Sequence, residues 1–569
     1  MTSIYTTMTA NERAAMDTFE QLAAATDEFE AYAQPHAARV AKFADQLARL
    51  FSFGEHDRFS LRIAALAHDL GEAAMRREYI KRANALDTEE RQDLARHTVI
   101  GEQEAARAGA DRAAQLLVRW HHEAWNGAGY PDALRRNQIP LMARILRVAD
   151  AYASLTEARP FRHALTHTEA RAHLAKGAGI EFDPRIVRAF LSISSNDEQR
   201  TSAPHGDGLE TSDIDATNTP NTTNTQITTN AQGSLLIFGV AEELDQPPSA
   251  KLYSLAHQEA SGEKPNGWLA FELSVLRRLK FRSIAVPFAC EGDLCEALKH
   301  WGVRVAANDP AECAAIKTTA RIQHGDATLS AADVETLLED AYMPGYKLRN
   351  ESLRKQFNES DAWWFDNVRA NIEKLSNDAA RIQALALGLM IGDYAHSFDA
   401  ETRVLRQPLS KVFRRLWETQ TGRATTANPQ RCSSTQMEAR LFIAGQHSVD
   451  LMFLRLPRAR NVAASGIQAA DEWQGEWLGT GIVAQHEAKD RNAARSVATT
   501  ESKNQYLRRI EELLQTALHI KTWAIAHTED SFVSTTELVE LINQLRKVET
   551  VYTKDFSELM GVRATIITA

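Results

Sequence analysis

The chain has 569 residues, 44% hydrophobic and 25% charged, which fits roughly two to four globular units of about 100–200 residues and excludes a fibre or a wholly disordered polymer. Lys and Arg total 65 against 75 Asp and Glu, and the net charge of −10 argues against a generally basic nucleic-acid coat. Four cysteines exclude a disulfide scaffold. The opening stretch MTSIYTTMTANERAAMDTFEQL lacks the basic start and apolar core of a signal peptide, and no window holds the ~18 apolar residues that a membrane span requires. No membrane association and a cytosolic, reducing compartment are therefore the expectation.

Phe43, Leu47, Leu50 and Phe51 recur at helical spacing. Residues 62–70, 89–106, 113–121 and 139–155 carry a similar pattern, with Gly and Pro mainly between them. Nothing alternates with a period of two for long, so the spacing predicts an all-α bundle over residues 1–191. From 192 to 233 large apolar residues almost vanish and residues 217–230 are Thr/Asn-rich. Such a stretch cannot offset the entropy cost of ordering itself and reads as a linker. The alternative, a long surface loop inside one domain, is uncommon at that length. Residues 234–569 form the third division. There SLLIFGVA reads as a buried strand, FRSIAVPFACEG as strand and turn, DLCEALKHWG as a helix, and VRVAANDP as a second strand ending in Asn308-Asp309. This is a β-α-β unit of the doubly wound kind.

The first division is rich in histidine. His36 lies in QPHAARVAKFADQLARLF, His68-Asp69 in AALAHDLGE, and His97 begins HTVIGEQEA. His121-His122 precede Glu123, and Asp150 lies in ARILRVADAYASLTEARPFR. A single helical His is more often a surface or core residue than a ligand. Doublets in apolar settings are harder to explain, because burying that many imidazoles and carboxylates unpaired is costly. A shared metal cluster in a groove between helices removes the cost.

In this order and spacing, over residues 34–191, the N-terminal part resembles an HD-GYP domain, a bacterial phosphodiesterase branch of the HD superfamily. The resemblance rests on His36, His68-Asp69, His97, His121-His122-Glu123, Gly129-Tyr130-Pro131 and Asp150, with SLTEARPFR and Phe182-Asp183-Pro184 at the end. It implies hydrolysis of cyclic di-GMP or a related cyclic dinucleotide. His36, His68, Asp69, His97, His121, His122 and Asp150 would ligate two divalent transition metals, iron, manganese or similar, with Asp69 bridging. Such a pair can lower the pKa of a bridging water and clamp the phosphodiester. Asp69, Glu72 and His97 are the catalytic candidates. Gly129, Tyr130, Pro131, Arg159 and Arg162 are the substrate-binding candidates, the arginines because guanidinium forks match phosphate oxygens; surface salt bridges are the alternative for both.

Three positions depart from the family pattern. Glu72 stands where a Lys is usual, and two like charges 4 Å apart cost about 4 kcal/mol at an effective dielectric of 20; alternatively Glu72 becomes a ligand. Asn126 replaces the Asp of DGxGYP. Tyr32 stands where relatives with a third metal carry Glu, so two metals are expected.

Residues 265–556 resemble an adenine-specific DNA methyltransferase, of Rossmann-like α/β fold. The resemblance rests on the turn 286–292, on Asn308-Asp309, on WWFDNVRANIEKL and on SVDLMFLRLP at the place of the catalytic strand. KTWAIAHTED and KVETVYTKDF would be the last strands. Phe288, Gly292 and Asp309 mark a degenerate cofactor site, with Asp309 as either a ribose partner or a turn residue capping the next helix. Val286 replaces the leading acid and Cys290 the first glycine, and Arg455-Leu456-Pro457-Arg458 replaces DPPY. An arginine cannot accept the hydrogen bond of an adenine amino group, so methyl transfer is lost and S-adenosylmethionine is not expected. Cys290 and Cys295 read as buried thiols, residues 504–518 as an amphipathic helix, and residues 455–460 as a solvated basic loop or a phosphate contact.

These features lead to a metal-dependent cyclic-dinucleotide phosphodiesterase with a regulatory or binding pseudo-methyltransferase domain. The rivals are a non-cleaving nucleotide-binding module joined to a nucleic-acid-binding pseudoenzyme, and an HD phosphohydrolase for another phosphoester.

Overall fold

The computed structural model describes residues 8–81, 86–158, 163–193, 268–323, 329–343, 347–421, 432–457, 473–479, 501–529 and 532–569. Nearly all of the expected linker, the SLLIFGVA segment, Arg159, Arg162 and Arg458 lie outside these residues.

The N-terminal part is helical: α1 (Ala10–Phe29), α2 (His36–Leu50), α3 (Glu55–Ala67), α4 (Leu70–Met75), α5 (Thr88–Leu94), α6 (His97–Arg107), α7 (Arg112–Trp120), α8 (Leu141–Leu155), α9 (His167–Gly177) and α10 (Pro184–Leu191). Caps set several of the starts. Thr9 and Glu12 form a capping box on α1, and Asp111 and Asp183 accept the first free backbone N–H groups of α7 and α10. Val40, Phe43, Leu47, Leu61, Leu117, Ile145, Tyr152 and Phe190 fill the core.

The helix expected over 89–106 is two helices, and the one expected over 62–70 ends at Ala67. Both breaks have the same cause. The Nδ1 of His97 takes the carbonyl of Leu94 (2.7 Å) and that of His68 takes the carbonyl of Ala65 (2.9 Å). Apolar periodicity does not register a break when the helices on either side bury the same face.

The C-terminal part carries a seven-stranded mixed sheet: β1 (Ser283–Val286), β2 (Arg304–Asn308), β3 (Ser433–Thr435), β4 (Leu451–Arg455), β5 (Thr522–Glu529), β6 (Thr550–Asp555) and β7 (Arg563–Thr568), in the order β3-β2-β1-β4-β5-β7-β6. The pairs from β3 to β5 are parallel, and β7 runs antiparallel to both of its neighbours. The α/β expectation holds at this level. The sequence reading missed β3, a three-residue polar strand, and β7, which closely follows β6. The helix Lys503–Thr516 lies where the amphipathic segment was expected.

The two parts share a core. Trp268 stacks on Phe556 with ring centroids 4.0 Å apart, and both pack on Trp120 at the end of α7. Around this stack Glu102 pairs with Arg119 (2.8 Å), Arg112 (2.9 Å) and Lys554 (2.7 Å). Among the described residues no helix is long and apolar enough to cross a membrane.

Candidate metal centre

His68 and Asp69 occupy the junction between α3 and α4. Gly71 follows, and a Cβ there would overlap the carbonyl of His97. The missing side chain lets α4 and α6 touch and brings His97 to Asp69. His121 closes α7, and Asp150 lies on the buried face of α8.

Three imidazoles are oriented alike. Nδ1 of His68, His97 and His121 meets the carbonyl three residues earlier, of Ala65, Leu94 and Val118, at 2.9, 2.7 and 2.7 Å. A carbonyl only accepts, so Nδ1 carries the proton and Nε2 offers its lone pair to the centre. His68 Nε2 lies 2.9 Å from Asp69 Oδ2, while His97 Nε2 and His121 Nε2 lie 3.7 and 3.8 Å from Oδ1. The two oxygens of Asp69 thus face different partners. His36, His68 and Asp69 form one donor set and Asp69, His97, His121 and His122 another, each with its ligand atoms within 4.8 Å of one another. Asp150 Oδ1 adjoins the first set, 3.6 Å from His36 Nε2 and 3.9 Å from His68 Nε2. Every residue expected as a ligand is brought together.

The cluster leaves polar atoms unsatisfied. Both nitrogens of His36 are buried without a hydrogen-bond partner among the described residues, and Nε2 of His68 has only the carboxylate of Asp69 beside it. Orphaned imidazole nitrogens facing carboxylates are a donor set suited to transition metals. The charges agree with that. Burial would raise Asp69, but His68, His97 and His121 hold it far below the usual carboxylate range. Burial lowers His97; burial with its His97 and His68 neighbours lowers His121 to about 3. His68 is held up to about 10 against its burial by Asp69 and Asp150. The imidazoles of His97, His121 and His122 are held neutral beside the Asp69 carboxylate, and a metal on the His68 side would displace a proton.

Glu72 is buried, with Oε1 3.8 Å from Nδ1 of His97, the ring nitrogen turned away from Asp69. Burial, then Asp69 and Asp150, push its pKa well above the ordinary value. Tyr32 stacks on His36 at 4.2 Å, covering it with an aromatic face.

The loop after α7 completes the site. Tyr130 lies 5.0 Å from the His122 ring and 6.1 Å from the His97 ring. Glu123 is not aimed at the metal sets: its oxygens accept the N–H groups of Asp132 (2.7 Å) and Leu134 (3.0 Å) and hold the loop. Asn126 Oδ1 accepts the Ala128 N–H (3.0 Å), a bond that an Asp oxygen would also accept. A cleft of about 970 Å³ opens beside His122, Tyr130 and Arg147 and reaches residues of the C-terminal part, including Arg277 and Trp301. Its volume lies at the upper end of the ~300–1,000 Å³ of small-molecule sites.

The sequence reading missed two neighbours of the ligands. Arg147 Nη1 donates to His122 Nδ1 at 2.7 Å, so a metal at that nitrogen would compete with the guanidinium. Glu157 approaches His36 Nδ1 at 3.6 Å. Arg147 stands about one helical turn before Asp150 on α8, and that spacing was its available signal, whereas Glu157 lies just beyond the end of α8.

The turn expected as a degenerate cofactor site sits at the end of β1. Cys290 adopts φ 54°, the left-handed region that favours glycine. Asp309 accepts the N–H groups of Cys290 and Ala311, both at 2.9 Å, so its oxygens are spent on the turn. Arg455 was expected on a solvated loop. It is a buried partner of Glu272, at 2.9 and 2.6 Å, because a guanidinium at the end of a buried strand requires a carboxylate. Phe288 packs against the core beneath the sheet.

With this geometry in view, residues 17–186 of the helical part match the HD domain family. Its relatives are cyclic-dinucleotide phosphodiesterases. The cyclic di-GMP phosphodiesterase response regulator RpfG of Xanthomonas campestris is 33% identical over 186 residues, 32% of this chain and 49% of that protein. A cyclic di-GMP phosphodiesterase of Vibrio cholerae is 34% identical over 139 residues, 23% of this chain and 28% of that protein. The 3'3'-cGAMP-specific phosphodiesterase 3 of the same species is 29% identical over 175 residues, 31% and 38% respectively. The chain therefore spans less than half the length of these relatives.

Proposed function

We propose that the chain is a metal-dependent phosphodiesterase that opens cyclic di-GMP or a related cyclic dinucleotide. The carrying observation is Asp69, whose two oxygens face two separate imidazole sets. His36, His68, Asp69 and Asp150 would hold one ion, and Asp69, His97, His121 and His122 the other. Such a centre supplies an activated water and positive charge for the phosphodiester. The protein's own groups orient the substrate. Arg147 stands on the cleft wall beside His122 and presents its guanidinium to a phosphate. Tyr130 sits over the imidazoles, and Gly129 and Pro131 shape the loop. Arg159 and Arg162 keep a phosphate-binding role by resemblance alone. Glu72 lies behind His97 and supports its ring.

The C-terminal part is proposed as a methyltransferase-like domain without transfer chemistry, beginning after a linker over 192–233. In support, the turn 287–292 and Asp309 lie at the carboxyl ends of β1 and β2, where such sheets bind nucleotides. The occupied oxygens of Asp309 and the buried Arg455 support loss of the cofactor.

Purified protein loaded with manganese or iron is expected to convert cyclic di-GMP to the linear dinucleotide. The His68→Ala/Asp69→Ala variant should lose at least about a hundredfold in kcat. Tight binding of cyclic di-GMP without turnover by the loaded wild type would favour the non-cleaving binding module.

A further inference from the structure

The turn after β1 of the C-terminal part is bridged by the HD domain. Arg135 Nη1 lies 2.9 Å from Oε2 of Glu291, the side chain that follows Cys290 in that turn. The other oxygen of Glu291 accepts from Lys317 Nζ at 3.2 Å, and Lys317 also reaches Asp393. Arg136, next to Arg135, donates to the Asp393 carbonyl. Arg135 belongs to the segment that carries Gly129, Tyr130 and Pro131. Its stem lies across Gly127, so closely that a Cβ there would overlap it.

The same segment has further fastenings. Trp125 Nε1 donates to Ser397 Oγ at 2.9 Å, and Asp132 Oδ1 accepts the Ala270 N–H at 3.1 Å. Both partners belong to the C-terminal part. The loop from Trp125 to Arg136 is therefore tied at both ends and in the middle, while its inner side presents Tyr130 to His122 and His97.

We infer that Glu291 is a positioning residue for this loop: by gripping Arg135 of the HD domain it fixes Tyr130 beside the candidate metal centre. The catalytic consequence rests on the phosphodiesterase reading; the grip itself does not. Lys317 and Arg321 flank the pair, so a neutral side chain at 291 leaves cations facing Arg135 with less to hold them.

The test compares full-length wild type with Glu291→Gln, Arg135→Gln and the conservative Arg135→Lys, each loaded with manganese. Two substrates are used: cyclic di-GMP, which fills the cleft, and bis(p-nitrophenyl) phosphate, which needs only the centre. Glu291→Gln and Arg135→Gln are expected to raise KM for cyclic di-GMP about tenfold, since small displacements of a positioning element carry large rate costs. Their kcat on the small diester should stay at the wild-type value, and Arg135→Lys should recover most of the loss. Unchanged KM in both Gln variants, or equal losses on both substrates, would overturn the inference. Hydrogen exchange of residues 125–136 provides a readout independent of activity. Faster exchange in Glu291→Gln supports the grip even if the wild type hydrolyses neither substrate, and unchanged exchange overturns it. Should Glu291→Gln fail to fold, Arg135→Gln gives the same comparison from the other side.

Discussion

Arg147 illustrates how a single side chain decides what the centre can do. It lies three residues before Asp150 on α8, its Nη1 meets His122, and its Nε is buried without a hydrogen-bond partner among the described residues. A guanidinium with spare donors at the rim of the proposed phosphodiester site is suited to a phosphate contact, and a charge-assisted bond of this kind contributes about 1.5–3 kcal/mol. Arg147→Gln is expected to raise KM for cyclic di-GMP by about ten- to a hundredfold. Its metal content, measured by elemental analysis, should equal that of the wild type; a loss of metal instead would assign Arg147 to holding the His122 ring. The candidate ligands themselves stood out in the sequence because each is a chemically distinctive residue in the order of the pattern that the N-terminal part resembles. Arg147 and Glu157 did not, since an Arg on a helix and a Glu just past a helix end usually face solvent, and only the packing of α8 and the turn that follows it against the cluster brings them inward.

At the scale of elements, the approach of α4 to α6 determines whether one centre or two can form. Gly71 permits it by placing no side chain against the His97 carbonyl. Gly71→Ala is expected to destabilise the protein by about 1–3 kcal/mol, the usual cost of overpacking. Because His97 serves only the second donor set, the bound metal should fall from two ions per chain toward one. Thermal melting with metal analysis reads both effects, and a variant that keeps its stability and both ions would show that the helices separate freely. The helix content was foreseen from periodicity, but the breaks at Ala67 and Leu94 were not. They arise from side-chain bonds to carbonyls, which leave no trace in hydrophobic spacing. The same limit hid β3: three residues reading Ser-Ser-Thr gain their strand character from pairing with β2, a contact between positions about 130 apart.

For the molecule as a whole, the junction between its two parts is ionic as well as apolar. Burial would raise Glu102, but Arg119, Lys554 and Arg112 hold it down to about 2. Burial would likewise raise Glu291, yet Arg135, Lys317 and Arg321 hold it at about 2. A carboxylate whose pKa is depressed on folding stabilises the folded state above its unfolded value, here near 4.5, and loses that contribution as pH falls toward the folded value. Attachment of the two parts is therefore expected to be pH-independent near neutrality and to weaken between about pH 4.5 and 2. Tryptophan fluorescence reads this directly, because Trp120 and Trp268 meet at the junction. A signal constant to pH 2 would mean that the ion pairs contribute nothing. The charge balance of the chain gave no hint of this, since pairs drawn from residues hundreds of positions apart vanish into a net sum.

The Trp268–Phe556–Trp120 stack has one more consequence. It ties together Trp268, Phe556 just after β6 and Trp120 at the end of α7, so the halves are expected to hold together through these contacts as well as through the chain that joins them. Severing the backbone between 194 and 267 would leave a non-covalent heterodimer, and the two pieces could be made as separate chains that reassemble on mixing.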